Sequence, residues 1–214
     1  MSEDRALSFA SGDITLEGQL HLPDAVPAPA IVVCHPHPQY GGDMHNNVVS
    51  AVCETAIASG IAALRFNFRG VGASEGVHTR GPGEVEDTRA ALDHLRVLPE
   101  IDSARLALAG YSFGAVMALL AAAGDDVRAL LAVSLPTIEP LPKSGPSCPA
   151  LFVSGNEDEY ADVEQLKAFV LTLGPEAELK FIPGLGHFWF GVEGDLQNIV
   201  APFLTTHLTA IPTV

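Results

Sequence analysis

Residues 105–123 read RLALAGYSFGAVMALLAAA and contain the pentapeptide Gly-x-Ser-x-Gly, with Ser112 at its centre. The apolar run before the motif is typical of a buried strand, and the longer apolar run after it is typical of a helix. A serine on such a strand-to-helix turn forms a nucleophile elbow, in which the flanking glycines leave room for closely passing backbone. We therefore predict that Ser112 lies at the C-terminal edge of a sheet and acts as a nucleophile.

A second Gly-x-Ser-x-Gly pattern surrounds Ser74, so the pentapeptide alone does not identify the nucleophile. The strand-like run before it, Leu64–Phe68, ends six residues earlier, and residues 77–83 show no helical pattern. Because a nucleophile elbow needs a strand and a helix directly on either side, the context favours Ser112. Ser74 is predicted to be a loop residue.

Apolar strand-like and helix-like segments alternate along most of the chain, after two short opening strands near residues 6–10 and 14–22. This alternation predicts an α/β fold with a doubly wound, mostly parallel sheet and helices on both faces. The Pro-rich connection 136–149 has no amphipathic helical pattern, so we predict a single domain, 1–214, without a lid domain. Further strands are predicted at 30–34, 62–68, 105–109, 127–135, 150–154 and 178–182, and helices at 48–59, 83–98, 113–123, 163–173 and 195–208.

The composition argues against nucleic-acid binding, secretion and insertion into a membrane. With 11 basic against 26 acidic residues the formal charge is −15, which disfavours binding to a phosphate backbone. The N-terminus lacks the apolar region of a signal peptide, and the longest apolar run, Ala115–Ala123, is too short to cross a bilayer. Three cysteines at unrelated spacings suit a reducing compartment. We predict a cytoplasmic protein that binds neither nucleic acid nor membrane and acts on a small molecule; its oligomeric state is not predicted.

A serine nucleophile needs a base, and in a fold of this type the order along the chain is serine, then acid, then histidine. Of the eight histidines, only His187 and His207 lie late enough. His207 ends the last predicted helix, where exposure to solvent is the default. His187 follows the last predicted strand in a glycine-containing loop, so it is the predicted base.

The acid is expected after the strand at residues 150–154, where Glu157, Asp158 and Glu159 stand together. Asp158 is favoured because it lies three residues after Gly155, one tight turn from the end of the strand. Glu157 remains the alternative.

Acyl transfer also needs N–H donors for the developing oxyanion. The backbone N–H of Phe113 is one candidate, because it directly follows the nucleophile. The loop after the strand at residues 30–34 supplies the other, His37, since Pro36 and Pro38 have no N–H. Four aromatic residues are candidates for an apolar rim that binds substrate, although packing in the core explains them equally well: Tyr40, Phe113, Phe188 and Trp189.

The sequence supports neither a histidine metal site nor a dinucleotide-binding motif. His35, His37 and His45 lack a carboxylate or thiolate at a convincing spacing, so no metal site is predicted. The Gly70-Val71-Gly72 segment has Glu75 at the third glycine position of a dinucleotide fingerprint, and no helix opens there. We predict no cofactor.

Four segments together resemble the α/β-hydrolase superfamily, and more narrowly the small lidless bacterial serine hydrolases related to dienelactone hydrolases: His35–Pro38 with Gly41-Gly42, residues 64–74, Gly110–Gly114 and Gly186-His187. The resemblance covers residues 14–208 and implies a serine esterase with the triad Ser112, Asp158 and His187. Dienelactone hydrolases proper use a cysteine nucleophile, so their substrate does not carry over. The segment after Gly155 lacks the family's hydrophobic-Pro ending, which leaves the identity of the acid open.

The leading functional prediction is therefore hydrolysis of small carboxylic esters through an acyl-enzyme intermediate. A thioesterase or an amidase would use the same residues. A catalytically silent hydrolase fold that serves as a binding module is the alternative from another class.

Overall fold

The computed structural model describes residues 3–138, 141–142 and 145–209. Its strands are β1 (Glu3–Ser11), β2 (Ile14–Leu22), β3 (Ala28–Cys34), β4 (Ala62–Phe66), β5 (Ile101–Tyr111), β6 (Ala129–Val133), β7 (Ala150–Gly155) and β8 (Ala177–Ile182). Its α-helices are α1 (Asn47–Ala58), α2 (Pro82–Arg96), α3 (Phe113–Ala122), α4 (Val163–Thr172) and α5 (Glu193–Leu204).

The eight strands form one sheet in the order β1-β2-β4-β3-β5-β6-β7-β8. β1 pairs antiparallel with β2 and β2 antiparallel with β4, whereas every other pairing is parallel. The C-terminal ends of the six parallel strands therefore meet at one edge of the sheet, where ligands bind in open α/β folds. The predicted fold class, a doubly wound and mostly parallel sheet, is confirmed.

Two apolar layers cover the faces of the sheet. Because successive side chains of a strand point to opposite faces, Val32 of β3 belongs to one layer, while Ile31 and Val33 belong to the other. The first layer contains side chains of α2, α3 and α4, and the second contains side chains of α1 and α5. α3 lies against the sheet as the apolar helix that the sequence predicts.

Some predicted boundaries differ from the structure. β5 starts at Ile101 rather than at residue 105, and β6 is limited to Ala129–Val133. The last predicted helix ends at Leu204, and its final turn, Thr205–Thr209, is a π-helix that follows Pro202. Within the described part of the connection 134–149 there is no helix; residues 139–140 and 143–144 lie outside the described residues.

A buried ion pair fixes the loop after β4 to helix α2. Asp87 is fully buried and accepts hydrogen bonds from Nε and Nη2 of Arg69 at 3.0 and 2.8 Å. The same carboxylate accepts from the backbone N–H of Arg69 at 3.0 Å and from Ser11 Oγ at 2.7 Å. Arg69 is therefore held chiefly by Asp87.

We expect Asp87→Ala to lower the free energy of unfolding by about 3–5 kcal/mol. The substitution leaves the Arg69 guanidinium, the Arg69 backbone N–H and Ser11 Oγ without their buried acceptor. The matched control is Asp93→Ala on the same helix, whose carboxylate is 71% exposed and pairs with Arg96. That surface pair is worth only about 0–1 kcal/mol. Urea unfolding of both variants measures the difference, and equal losses would contradict the structural role of Asp87.

Candidate active site

Ser112 lies between β5 and α3 in a backbone conformation that side chains rarely adopt, with φ 56° and ψ −119°. The flanking glycines are required by close approaches: a Cβ on Gly110 would collide with the carbonyl oxygen of Gly114. A Cβ on Gly114 would collide with the carbonyl oxygens of Cys34 and His35. These contacts set the tight turn that raises the serine above the edge of the sheet.

An unbroken chain of hydrogen bonds joins the serine to a histidine and an acid. His187 Nε2 lies 2.9 Å from Ser112 Oγ, and His187 Nδ1 lies 2.9 Å from both carboxylate oxygens of Asp158. Because a carboxylate only accepts, Nδ1 carries a proton and Nε2 of the neutral ring is free to accept the serine proton. The three residues that the sequence predicts to form a triad are thus brought together.

Asp158 is buried, and several donors keep it ionised. Ser154 Oγ donates to it at 3.3 Å, and the backbone N–H of Tyr160 donates at 2.9 Å. Burial alone would raise the pKa of this carboxyl, but the hydrogen bond and charge of His187, with the Tyr160 N–H, hold the pKa below its ordinary value. Glu157, the alternative acid, is exposed, so the structure brings Asp158 rather than Glu157 to the histidine.

The loops after β7 and β8 are tied to each other, which positions both Asp158 and His187. Glu157 N–H donates to the carbonyl of Leu185 at 3.0 Å, and Gly184 N–H donates to Asn156 Oδ1 at 2.7 Å. His187 N–H donates to Glu159 Oε2 at 3.2 Å. The imidazole therefore sits on a cross-linked pair of loops.

Tyr111 and Tyr160 pack on His187, and the sequence reading missed both. Tyr111 Oη donates to the carbonyl of His187 at 3.0 Å, and its ring stacks on the imidazole at 5.5 Å. The ring of Tyr160 meets the imidazole edge-on at 4.6 Å. Tyr111 directly precedes Ser112, so its place within the Gly-x-Ser-x-Gly motif was the available signal.

Phe113 and His37, whose backbone N–H groups are the predicted oxyanion donors, have their side-chain rings in contact, with centroids 4.9 Å apart. Among the described residues, neither backbone N–H has a protein acceptor. Phe113 occupies the first turn of α3, where free N–H groups and the helix dipole favour negative charge.

The aromatic candidates divide into exposed and buried residues. Tyr40 is 88% exposed and packs against the ring of His37, and Phe188 is 55% exposed and meets the ring of His187. The prediction for Trp189 is wrong: it is 1% exposed, lies in the apolar layer of α1 and α5, and donates from Nε1 to Ser134 Oγ at 3.1 Å. Phe190, 76% exposed and stacked on Phe188, takes its place at the surface.

Other residues from the sequence reading have structural roles. Ser74 is buried in a loop, where its hydroxyl donates to the carbonyl of Asn67 at 2.7 Å and accepts from Glu17 N–H at 3.0 Å. His207 packs on Phe203 at the end of α5. His35 is fully buried, and its Nε2 accepts from Phe68 N–H at 3.0 Å. No group of three or more His, Cys, Asp or Glu in the described ranges is arranged to hold a metal ion.

A cleft of about 310 Å³ opens beside Asp158 and Tyr160. Thr137, Ile138 and Tyr160 line it, together with the acidic side chains of Asp158, Glu159 and Asp162. Tyr160, one of the lining residues, also packs on His187. In the described residues, no helix is both long and apolar enough to cross a membrane.

Comparisons with known proteins identify the family of the chain. A family model described as X-Pro dipeptidyl-peptidase (S15 family) matches residues 12–139, which include Ser112 and end before Asp158 and His187. An uncharacterized protein of Rickettsia prowazekii is 31% identical over 207 residues, which cover 89% of this chain and 84% of that protein.

Two solved structures resemble the whole chain. A lidless α/β serine hydrolase from Xanthomonas campestris is 32% identical with a TM-score of 0.87, and the match covers 98% of this chain and 97% of that one. An α/β serine hydrolase homologue from Coxiella burnetii is 32% identical with a TM-score of 0.82, covering 94% and 97% of the two chains.

Proposed function

The chain belongs to the X-Pro dipeptidyl-peptidase (S15) family within the α/β-hydrolase superfamily, and we propose that it cleaves small carboxylic esters through a covalent acyl-enzyme. That it is a hydrolase follows from the family and the lidless serine hydrolase fold. One observation carries the proposed reaction: the hydrogen-bond chain from Ser112 Oγ through His187 to the buried Asp158 carboxylate.

In the proposed acylation step, Ser112 Oγ attacks the ester carbonyl carbon while its proton passes to His187 Nε2, 2.9 Å away. The carbonyl oxygen becomes an oxyanion, which the backbone N–H groups of Phe113 and His37 stabilise. Each such donor is worth about 2.7–4 kcal/mol of transition-state stabilisation. His187 then donates the proton to the ester oxygen of the alcohol, which leaves as the C–O bond breaks.

Deacylation repeats the same proton transfers with water. His187 Nε2 removes a proton from water, the hydroxide adds to the acyl carbon, and Ser112 regains its proton as the carboxylic acid departs. Asp158 stays ionised throughout and stabilises the imidazolium form of His187 through the two 2.9 Å contacts.

The surroundings of the nucleophile suggest where each half of an ester lies. The leaving group must stand within reach of His187, which protonates it, and the cleft beside Tyr160 is on that side. The ring neighbours of Phe113 form a separate set: His37, Phe68 and His78. We assign the cleft to the alcohol and the Phe113 side to the acyl group.

Stopped-flow hydrolysis of p-nitrophenyl acetate tests the proposal. An acyl-enzyme mechanism whose deacylation is slower than acylation gives a burst of one p-nitrophenolate per enzyme followed by steady turnover. A folded protein that gives neither burst nor turnover with a series of short esters would instead be a binding module.

Amide cleavage is the second candidate, because the matching family model is described as a peptidase. The same serine and histidine would acylate on an amide, with His187 protonating the leaving amine. Parallel assays of Ala-Pro-p-nitroanilide and p-nitrophenyl acetate separate the two. A larger kcat/KM for the anilide would make the chain a peptidase rather than an esterase.

We expect kcat/KM to be highest for acetyl to butyryl esters and not to rise further at octanoyl. Tyr40, which packs on His37 at the acyl side, is 88% exposed, so added methylenes that reach it stay in partial contact with water. Full burial would gain about 0.8 kcal/mol, or roughly fourfold, for each methylene. A series of p-nitrophenyl esters measures the slope, and a fourfold gain per methylene up to octanoyl would reveal an enclosed acyl pocket.

A further inference from the structure

His35 is a buried histidine that the proposed reaction does not use. It is fully buried, and burial lowers the pKa of its imidazole to about 4, so the ring is neutral near pH 7. Its Nε2 accepts from Phe68 N–H at 3.0 Å, and its Nδ1 lies 2.6 Å from the carbonyl oxygen of Pro36. Because a carbonyl oxygen only accepts, the single ring proton resides on Nδ1, in agreement with the acceptor role of Nε2.

The carbonyl that His35 binds belongs to the same peptide group as the N–H of His37, the proposed oxyanion donor. The peptide bond between Pro36 and His37 is trans, so its C=O and N–H point in opposite directions. A hydrogen bond that fixes the C=O toward the His35 ring therefore fixes the N–H away from that ring. The bond also polarises the peptide group, which strengthens the N–H as a donor.

Gly42 confines the same carbonyl. A Cβ at Gly42 would collide with the carbonyl oxygen of Pro36. The backbone N–H groups of Tyr40 and Gly42 both donate to the carbonyl of His37, each at 3.1 Å, so the next peptide group is also held. The N–H of His37 is thus the end of the Pro36–His37 peptide that has no protein acceptor in the part of the chain that the structure describes.

This segment lies against the two residues that follow Ser112. The carbonyl oxygens of Cys34 and His35 occupy the space that a Cβ on Gly114 would need. The ring of His37 packs on the ring of Phe113, with centroids 4.9 Å apart. The orientation of the Pro36–His37 peptide is therefore set directly beside the nucleophile elbow.

We infer that His35 is a positioning residue: by binding the Pro36 carbonyl, it holds the His37 N–H in the direction in which it serves as an oxyanion donor. The inference rests on the proposed function, in which that N–H stabilises the oxyanion. Without the bond from His35, the peptide group can rotate, and a misplacement of about 1 Å costs on the order of 10²-fold in rate. The loss falls on kcat rather than on KM, because the donor acts on charge that develops in the transition state.

The test compares p-nitrophenyl butanoate with its thiono analogue, in which sulfur replaces the carbonyl oxygen. Sulfur is a weak hydrogen-bond acceptor, so N–H donors stabilise an anion on sulfur less than an oxyanion. For each ester, kcat/KM is divided by the rate constant of hydrolysis by hydroxide, and the oxo-to-thiono ratio is taken. We expect this ratio to exceed one in the wild type. It depends on the alignment of the donors, and a general loss of stability leaves it unchanged.

His35→Phe keeps an aromatic ring but removes both ring nitrogens. We expect kcat for the oxoester to fall by about 10- to 100-fold with KM changed less than about threefold, and the oxo-to-thiono ratio to fall by about tenfold. His35→Gln is the conservative variant, because its amide carries a donor and an acceptor as the neutral imidazole does, and it should recover much of both losses. The control is His94→Phe: His94 packs on Phe9 of the edge strand β1 at 5.3 Å, and its loss should leave the ratio unchanged.

Gly42→Ala displaces the same peptide without altering His35. Gly42 lies outside the left-handed region, so alanine suits its backbone and the new methyl group presses on the Pro36 carbonyl. The oxo-to-thiono ratio should fall here as well. The matched control is Gly18→Ala on β2, where a Cβ comes within 3.2 Å of the carbonyl oxygen of Arg65 in the sheet. This variant should keep the wild-type ratio.

The outcomes separate the inference from the function on which it rests. A wild-type ratio in folded His35→Phe would overturn the positioning role and leave His35 as a packing residue. If His35→Phe does not fold, Gly42→Ala decides, and an unchanged ratio there would overturn the inference. If the wild type cleaves neither p-nitrophenyl butanoate nor p-nitrophenyl acetate, the proposed esterase function itself fails.

Discussion

Ser112→Ala is expected to lower kcat/KM for ester hydrolysis by roughly 10⁵- to 10⁶-fold, leaving only the rate that binding and the oxyanion donors sustain. The side-chain oxygen is the atom that His187 Nε2 faces at 2.9 Å, and without it the protein has no group that can form the acyl bond. The elbow backbone itself should tolerate alanine as it tolerates serine, since both carry a Cβ at φ 56°.

Covalent labelling with a fluorophosphonate distinguishes this loss of chemistry from a loss of fold. Ser112→Ala should bind no label while keeping the wild-type melting temperature. The control is Ser74→Ala, which alters the second Gly-x-Ser-x-Gly motif but only removes hydrogen bonds to Asn67 and Glu17. Labelling that persists in Ser112→Ala and disappears in Ser74→Ala would show that Ser74, and not Ser112, is the nucleophile.

The order of the elements and the elbow at Ser112 could be predicted because local patterns fix them. A continuous apolar strand, a pair of glycines and an apolar helix leave one arrangement in which the backbone fits, and the glycine contacts around Gly110 and Gly114 show it. His187 could be predicted for a similar reason: it follows the last strand, and parallel strands end at the same edge of the sheet.

What the sequence could not predict depends on which way a loop side chain turns. Phe188, Trp189 and Phe190 are consecutive aromatics with equal apolar character, yet the middle one packs inward and its neighbours face solvent. The inward orientation of Trp189 follows from the tertiary position of the loop and from the hydrogen bond that Ser134 Oγ accepts from the indole N–H.

The contact between His78 Nδ1 and the buried carboxylate of Glu84, 2.8 Å apart, was equally hidden. The two residues lie six positions apart across a turn in which Arg80 and Gly81 have positive φ. No hydrophobic period marks such a turn, so only the folded loop shows that a buried carboxylate holds the histidine beside Phe113.

Asp158→Asn is expected to lower kcat by about 10⁴-fold, with little change in KM, because it reverses the tautomer of His187. The backbone N–H of Tyr160 lies 2.9 Å from Oδ1 and needs an acceptor, so the amide oxygen of asparagine takes that position. The amide nitrogen then occupies the position of Oδ2, 2.9 Å from His187 Nδ1, where it can only donate, and the amide oxygen, also 2.9 Å from Nδ1, already accepts from Tyr160 N–H. The ring responds by carrying its proton on Nε2, which faces Ser112 and can no longer accept the serine proton.

The control for this change is Glu157→Gln, which removes a carboxylate one residue away whose side chain is exposed. It should alter kcat by less than about threefold, the range of surface substitutions within ±0.5 kcal/mol. Both variants are assayed with p-nitrophenyl butyrate after circular dichroism and thermal melts show equal folding. A larger loss in Glu157→Gln than in Asp158→Asn would transfer the role of the acid to Glu157, in spite of the short contacts between Asp158 and His187.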